Sequence, residues 1–374
     1  MPPRRSLCLY TPSTDPSGMG VHMLDLVAEY VRTAEVSLMA RDAPRVAWLL
    51  EGAAALGART LPLPSPRDPG FAGRITDFLR AQPADVFHCH VGTGCEDWDG
   101  VRLARAAGCP AVVQTQHLPF LVSHPRKRRA LHHAIEEVDR LIAVSEGQRR
   151  TYEGIGVPPE LFVTVPNGVA PRPDRLGRRE ARQALGLGPD RPVVLTVGRL
   201  THMKGQWHLI DAVPDLAAHF PGLAVVLLGD GPLRSSLETR AEALGVSEHV
   251  CFAGYRPDAR RLLAAADVFV LPSRHEGMPL AALEAMEAGL PVVATRVIGT
   301  AEVVDDGVTG ALVRPGDPAA LGAAVARLLA DPGLRRRQGA AGRRRYEARF
   351  TRERMAERTA EVYESVLADT EVAA

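Results

Sequence analysis

The stretch Asp267-Val-Phe-Val-Leu-Pro-Ser-Arg-His-Glu276-Gly-Met-Pro-Leu-Ala-Ala-Leu-Glu284 decides the fold. It opens with a short apolar run of strand length and ends in an Ala- and Leu-rich segment of helical character. Strand, loop and helix in that order form the repeating unit of a parallel α/β sheet. Glu276 falls in the loop, and Glu284 follows after seven intervening residues. That spacing predicts one carboxylate before a helix and a second about two turns inside it. Gly277, Met278, Pro279 and Leu280 then occupy the first turn, where backbone N–H groups have no partners within the helix. Two carboxylates and a row of amide donors suit a polyhydroxylated, partly anionic ligand. A sugar nucleotide fits that description.

The same alternation extends in both directions. Toward the N-terminus, strands are expected at Ser6–Tyr10, Glu35–Met39, Arg59–Leu63, Val86–His90, Ala111–Thr115, Leu141–Val144 and Phe162–Val165. Amphipathic segments such as Val21–Arg32 and Gly70–Ala81 separate them. Pro166-Asn-Gly-Val-Ala-Pro-Arg-Pro173 then stops regular structure and reads as a linker. A second series follows at Val193–Val197, Ala224–Leu228, Val250–Ala253, Val268–Leu271, Val292–Ala294 and Ala311–Val313, with helices at Gly205–Ala218 and Ala319–Leu329. The expectation is two doubly wound, Rossmann-like α/β domains, over residues 1–170 and 171–350. The tail from 351 to 374 carries Met355, Val362, Tyr363, Val366 and Leu367 at the spacing of an amphipathic helix, expected to pack back toward the first domain.

At 374 residues the chain exceeds one typical core, which agrees with two domains. A net charge of +1 argues against nucleic-acid binding, which leaves a strong basic excess. Five cysteines without paired spacing suggest a reducing compartment, and a cytoplasmic location is expected. No apolar run reaches transmembrane length, and Leu7–Tyr10 is too short for a signal peptide.

Other candidate residues lie where ligands bind in open α/β sheets, beyond the carboxyl ends of strands. Gly18 and Gly20 stand between the first strand and the first helix, where glycine admits close backbone approach and a helix N-terminus favours phosphate. Gly198-Arg199-Leu-Thr-His-Met-Lys204-Gly205 ends the first strand of the second half. Arg199 offers a planar fork to phosphate oxygens, and Lys204 a mobile point charge. Together they could neutralise a departing diphosphate. His88 and His90 alternate with Cys89 and face one side of a strand. No third ligand has a telling spacing, so no metal is expected, and His90 reads instead as lining an acceptor site. Asp97 and Asp99 could bind acceptor groups there. Arg126-Lys-Arg-Arg129 is the concentrated basic run. It reads as a solvated helix face, with contact to an anionic acceptor or lipid, aided by Phe120, Leu121 and Val122, as the functional alternative.

In combination these segments resemble the retaining GT4 glycosyltransferases of the GT-B fold. The resemblance rests on Val197-Gly-Arg-Leu200 with Lys204-Gly205, Leu228-Gly-Asp-Gly-Pro232, Phe252-Ala-Gly-Tyr255 and the run from Leu271 to Thr295. Asp306-Gly-Val-Thr-Gly310, Val165-Pro-Asn-Gly-Val169 and Ala143-Val-Ser-Glu146 also match. It implies two Rossmann-like domains facing across a cleft, a nucleoside-diphosphate-sugar donor, and transfer without metal or cofactor. It assigns Arg199 and Lys204 to the diphosphate, Glu284 to the ribose and Glu276 to the transferred sugar. Amides of Gly277 to Leu280 would help Glu276. Gly254, Tyr255 and Arg256 would meet the base, Gly18, Gly20 and Gly198 would pass the diphosphate, and His117 would reach the donor sugar. The acceptor could be a small molecule, lipid or glycan, and contact with the inner membrane face through Arg126–Arg129 belongs to the lipid case. The chain departs from the family pattern in three places. Its first-domain loop has one glycine fewer, Arg32-Thr-Ala-Glu35 replaces a Gly-His turn, and Arg296-Val-Ile-Gly-Thr300 replaces an Asp with two glycines.

The expected chemistry is same-face attack by the acceptor, with the leaving phosphate taking its proton. Nucleotide-sugar epimerases share the architecture, but they need more first-domain acid–base residues than the sequence offers. A non-catalytic sugar-nucleotide module is the remaining alternative, opposed by the intact Arg199, Lys204, Glu276 and Glu284.

Overall fold

Long apolar runs with no polar alternation belong to strands covered on both faces, and here they build two parallel sheets. The computed structural model describes residues 5–92, 99–121, 124–172, 174 and 176–373. The first sheet contains β1 (Ser6–Thr11), β2 (Glu35–Arg41), β3 (Arg59–Leu63), β4 (Val86–Val91), β5 (Ala111–Gln116), β6 (Arg140–Ala143) and β7 (Phe162–Thr164). Its order is β3-β2-β1-β4-β5-β6-β7. The second contains β8 (Val193–Val197), β9 (Ala224–Leu228), β10 (Val250–Gly254), β11 (Val268–Leu271), β12 (Val292–Thr295) and β13 (Gly310–Val313), in the order β10-β9-β8-β11-β12-β13. In each sheet the winding reverses beside the first strand, between β1 and β4 and between β8 and β11. These reversals are the switch points at which open α/β sheets bind ligands.

The chain divides into two compact domains, Met1–Ala170 with Arg352–Ala374, and Pro171–Thr351. The last helix, Arg352–Ala373, belongs to the first domain. Its Met355, Val362, Tyr363, Val366 and Leu367 are buried in one core with Met23, Leu26 and Val27. Burial of five such side chains is worth on the order of 10 kcal/mol as an upper bound. Tyr30 Oη donates to the Ala356 carbonyl at 2.6 Å, and Arg352 pairs with Glu29 at 2.7 Å.

The first helix and the one expected over 205–218 differ from their expected limits. The first spans Ser17–Tyr30, so Gly18 and Gly20 lie in its opening turn rather than in a loop before it. A Cβ on Gly20 would strike the Trp48 ring, so this glycine accommodates helix packing. Ser17 has φ of +44°, and no other described non-glycine residue has a positive φ. The expected helix over 205–218 is broken into Gln206–Asp211 and Val213–His219, because Pro214 cannot continue an α-helical hydrogen-bond ladder.

Candidate functional site

The second domain builds its site on the loops after β8 and β11. Gly205 follows Lys204 with φ of +62°, and a Cβ there would overlap the carbonyl oxygen of Pro272, at the end of β11. The two loops are therefore in backbone contact, and Arg274 N donates to the Met203 carbonyl at 2.8 Å. This approach brings Lys204 Nζ to 2.7 Å from Glu276 Oε1. The same oxygen accepts from Ser273 Oγ at 2.6 Å. Glu276 is buried, and a buried carboxylate requires such partners. Thr295 Oγ1 at the end of β12 donates to the Ser273 carbonyl, fixing the serine from behind. Arg199 lies half-buried on the same β8 loop, its carbonyl accepting from Gln206 Nε2 at 2.9 Å.

Glu284 is also buried, with Arg260 Nε 3.4 Å from Oε1. Burial pushes its carboxyl above the usual range, and the nearby Arg260 and Arg172 charges oppose that shift. The helix carrying it spans Leu280–Glu287, three residues later than the sequence pattern suggests. Pro279 holds an extended backbone at the N-cap with ψ of 113°, so Glu284 stands just over one turn inside the helix, not two. Pro279 also has no N–H, which interrupts the expected row of amides, and Gly277 and Met278 take part in other interactions. Gly299, with φ of +81°, packs directly on the Gly277 carbonyl, where any Cβ would overlap backbone.

At the end of β10, the Tyr255 side chain is 76% exposed. Arg256 is committed to Asp258 through two bonds of 2.9 Å. Gly254 accepts from Gly229 N at 2.8 Å, so its carbonyl already has a backbone partner.

The first domain places a different set at its switch point. His22 lies on the first helix, His90 on β4, and His117 just after β5. His22 Nδ1 meets Asn167 Oδ1 at 3.0 Å, and His90 Nδ1 meets His117 Nε2 at 3.2 Å. His88 uses both nitrogens, toward Tyr363 Oη at 2.6 Å and Thr115 Oγ1 at 2.7 Å. Burial lowers the pKa of His22 to about 4 and holds those of His88, His90 and His117 well below the ordinary value. His90 is fully buried, so it does not line an open acceptor surface as expected.

The remaining acceptor candidates divide. Asp97 and Val122 lie outside the described residues. Asp99 starts the helix Asp99–Ala106. Phe120 is buried against Tyr152, with ring centroids 5.7 Å apart, and is not available to a membrane, whereas Leu121 is exposed. Arg126–Arg129 sit exposed on the helix Pro125–Ile135, and Arg128 bonds the Ile155 carbonyl at 3.1 Å. Among the described residues no helix is long and apolar enough to cross a membrane.

Ser273, Gln206 and Arg260 were not singled out from sequence. Ser273 stood inside the Leu-Pro-Ser motif, so its position was signalled although its bond to Glu276 was not.

Comparison with known proteins follows the domain division. Residues 17–168 match the family described as glycosyl transferase 4-like domain, and residues 177–345 match glycosyl transferases group 1. The chain is 38% identical over 263 residues to the GDP-mannose-dependent alpha-(1-6)-phosphatidylinositol monomannoside mannosyltransferase of Mycolicibacterium smegmatis, covering 64% of this chain and 66% of that one. It is 32% identical to the alpha-maltose-1-phosphate synthase of the same organism, covering 94% and 96% of the two chains. The structure of Anabaena HepE in complex with UDP-glucose superposes with a TM-score of 0.83 at 21% identity, covering 96% of this chain and all (100%) of that one.

Proposed function

The chain belongs to the GT4 family of GT-B glycosyltransferases, and from that premise we propose that it moves a sugar from a nucleoside-diphosphate sugar to an acceptor hydroxyl or other nucleophile. We propose retention at the anomeric carbon, with no metal or cofactor in the transfer. The observation that carries this reading is the contact of Lys204 with Glu276 at 2.7 Å, at the switch point between β8 and β11.

Lys204 and Glu276 are each the other's charge partner. A bound donor offers both a better match: the diphosphate for Lys204 and Arg199, and sugar hydroxyls for Glu276. As the carbon–oxygen bond to the diphosphate breaks, negative charge grows beside the two cations and is stabilised more than in the ground state. Ser273 and Lys204 both bind Glu276 Oε1, which leaves Oε2 to accept from sugar hydroxyls. Glu276 so held is a positioning carboxylate rather than a nucleophile. The acceptor then attacks from the leaving group's own face, and the departing phosphate takes its proton. Glu284 is assigned to the ribose, Tyr255 with Gly254 to the base, and His117 of the first domain to a substrate hydroxyl.

Support for the donor class comes from a relative named for GDP-mannose dependence and from the HepE complex with UDP-glucose. The names of relatives include phosphatidylinositol monomannoside and alpha-maltose-1-phosphate, so acceptor assays should span lipids, small metabolites and glycans. The test is a thermal-shift screen of UDP-, GDP- and ADP-sugars. One nucleotide series should raise Tm by several degrees at saturation, since a ligand at 100 times its Kd adds about 2.7 kcal/mol. Lys204→Ala should lose that shift, and chelator should not reduce transfer. A flat response to all donors, or an inverted product by NMR, would overturn the reading.

A further inference from the structure

We propose that His22, His90 and His117 form a binding site for one divalent transition-metal ion of the zinc, cobalt and nickel class. One imidazole nitrogen from each residue lies within 4.8 Å of one from each of the others. In a tetrahedral site with metal–nitrogen bonds of about 2.0–2.1 Å, such nitrogens stand about 3.3–3.4 Å apart. The histidines are thus within about 1.5 Å of ligand spacing at most, a movement that side-chain rotation can supply.

The donor set is ready for a metal in three respects. His22 faces the Asn167 side-chain oxygen through Nδ1, and an amide oxygen only accepts, so Nδ1 carries the proton. That leaves the Nε2 lone pair free of a proton, the usual arrangement in which an outer hydrogen bond orients a ligating histidine. His90 Nε2 is buried and has no hydrogen-bond partner among the described residues, and in the tautomer that donates from Nδ1 to His117 it carries a lone pair. His117 is half-buried, which gives an ion a way in.

Among the described residues the cluster contains no carboxylate, so its chemistry favours imidazole-seeking ions over magnesium or calcium. Three protein ligands leave a fourth position for water. His88 is excluded as a fourth ligand, because both of its nitrogens are engaged. Nothing in the transfer mechanism calls for an ion here. An ion at this site would instead take His117 away from a substrate hydroxyl and inhibit. That consequence rests on the role given to His117 above, whereas binding does not.

The experiment is titration of the full chain, freed of metal by chelation, with Zn2+ by calorimetry and with Co2+ by visible absorption. The wild type should bind one ion and give the absorption of nitrogen-ligated Co2+. His90→Gln and His117→Gln should each weaken binding by more than about 100-fold, and Asn167→Ala by roughly 10- to 100-fold. His117→Gln is the safer variant, because its site is partly exposed, and its melting temperature checks the fold. A wild type that binds no ion overturns the proposal. So does an ion whose affinity is unchanged in both His90→Gln and His117→Gln, which would place it on surface residues such as His132 and His133. Binding without loss of transfer would retain the site and overturn only the inhibition.

Discussion

The two domains wind the same way and fill the same position with opposite chemistry. Between β8 and β11 the chain sets a lysine against a carboxylate, with an arginine on the adjoining loop. Beside β1 and β4 it sets neutral imidazoles, drawn together from the first helix, β4 and the end of β5. One solves the cost of burying polar groups by pairing charges, the other by keeping its groups uncharged. The fold supplies the place and the residues supply the function. The two solutions should respond differently to substitution and to pH.

The largest expected contrast is at the glycines behind the two sites. Gly299→Ala places a Cβ into the Gly277 backbone at a φ of +81°, and backbone cannot step aside. The expected loss is roughly 3–5 kcal/mol, with donor-induced stabilisation lost as well. Gly20→Ala meets the Trp48 ring, which is partly exposed and can rotate away, so about 1 kcal/mol is expected. Denaturant melts of the two variants measure both, and equal losses would remove the distinction between backbone and side-chain obstruction.

Acid should separate the domains next. His22 titrates at about 4 in the folded chain, below its ordinary 6.5, chiefly because of burial. The unfolded chain takes up that proton first, so stability is intact above about 6.5, drains as pH falls toward 4, and levels off below. The share from this one group is on the order of 3 kcal/mol over the window, and His88, His90 and His117 act in the same direction. Glu284 has the opposite sign: its raised pKa means that the folded chain binds the proton more readily, so acidification favours the folded form there. Hydrogen exchange between pH 7.5 and 5, corrected for intrinsic rates, should show protection lost in the first domain. His22→Gln should flatten that slope, and an unchanged slope in the variant would assign the effect elsewhere.

The smallest effect concerns Ser17, strained at a φ of +44°. Ser17→Gly should raise stability by about 1 kcal/mol by relieving that strain. A lower melting temperature would contradict the assigned conformation.

The sheets were readable because strands covered on both faces appear as unbroken apolar runs. Each of the runs expected as a strand forms one, within a residue or two at its ends. Helix limits were less legible. The Gly-rich start of the first helix reads as a loop because glycine is a poor helix former, and the helix begins there all the same, packed on Trp48. Pro214 was visible, but an amphipathic pattern running across it suggested one helix where there are two.

The site was legible as separate loops, not as contacts. Lys204 and Glu276 carry roles toward different parts of the donor in the family pattern, and their spacing of 72 residues says nothing of a direct pair. They meet because β8 and β11 are neighbours although β9 and β10 intervene in sequence. The three histidines are hidden for the same reason. His90 and His117 come from adjacent strands and His22 from a helix on the other side of the switch point, so chain spacing gives no ligand signature.

A double-mutant cycle on kcat/KM with Lys204→Ala and Glu276→Gln tests most directly whether these two residues act as one donor-binding unit. Each single variant should lose roughly 10²- to 10³-fold with its melting temperature retained, and the double variant should lose little more than the worse single one. Near wild-type turnover in either single variant, or losses that multiply in the double, would contradict it.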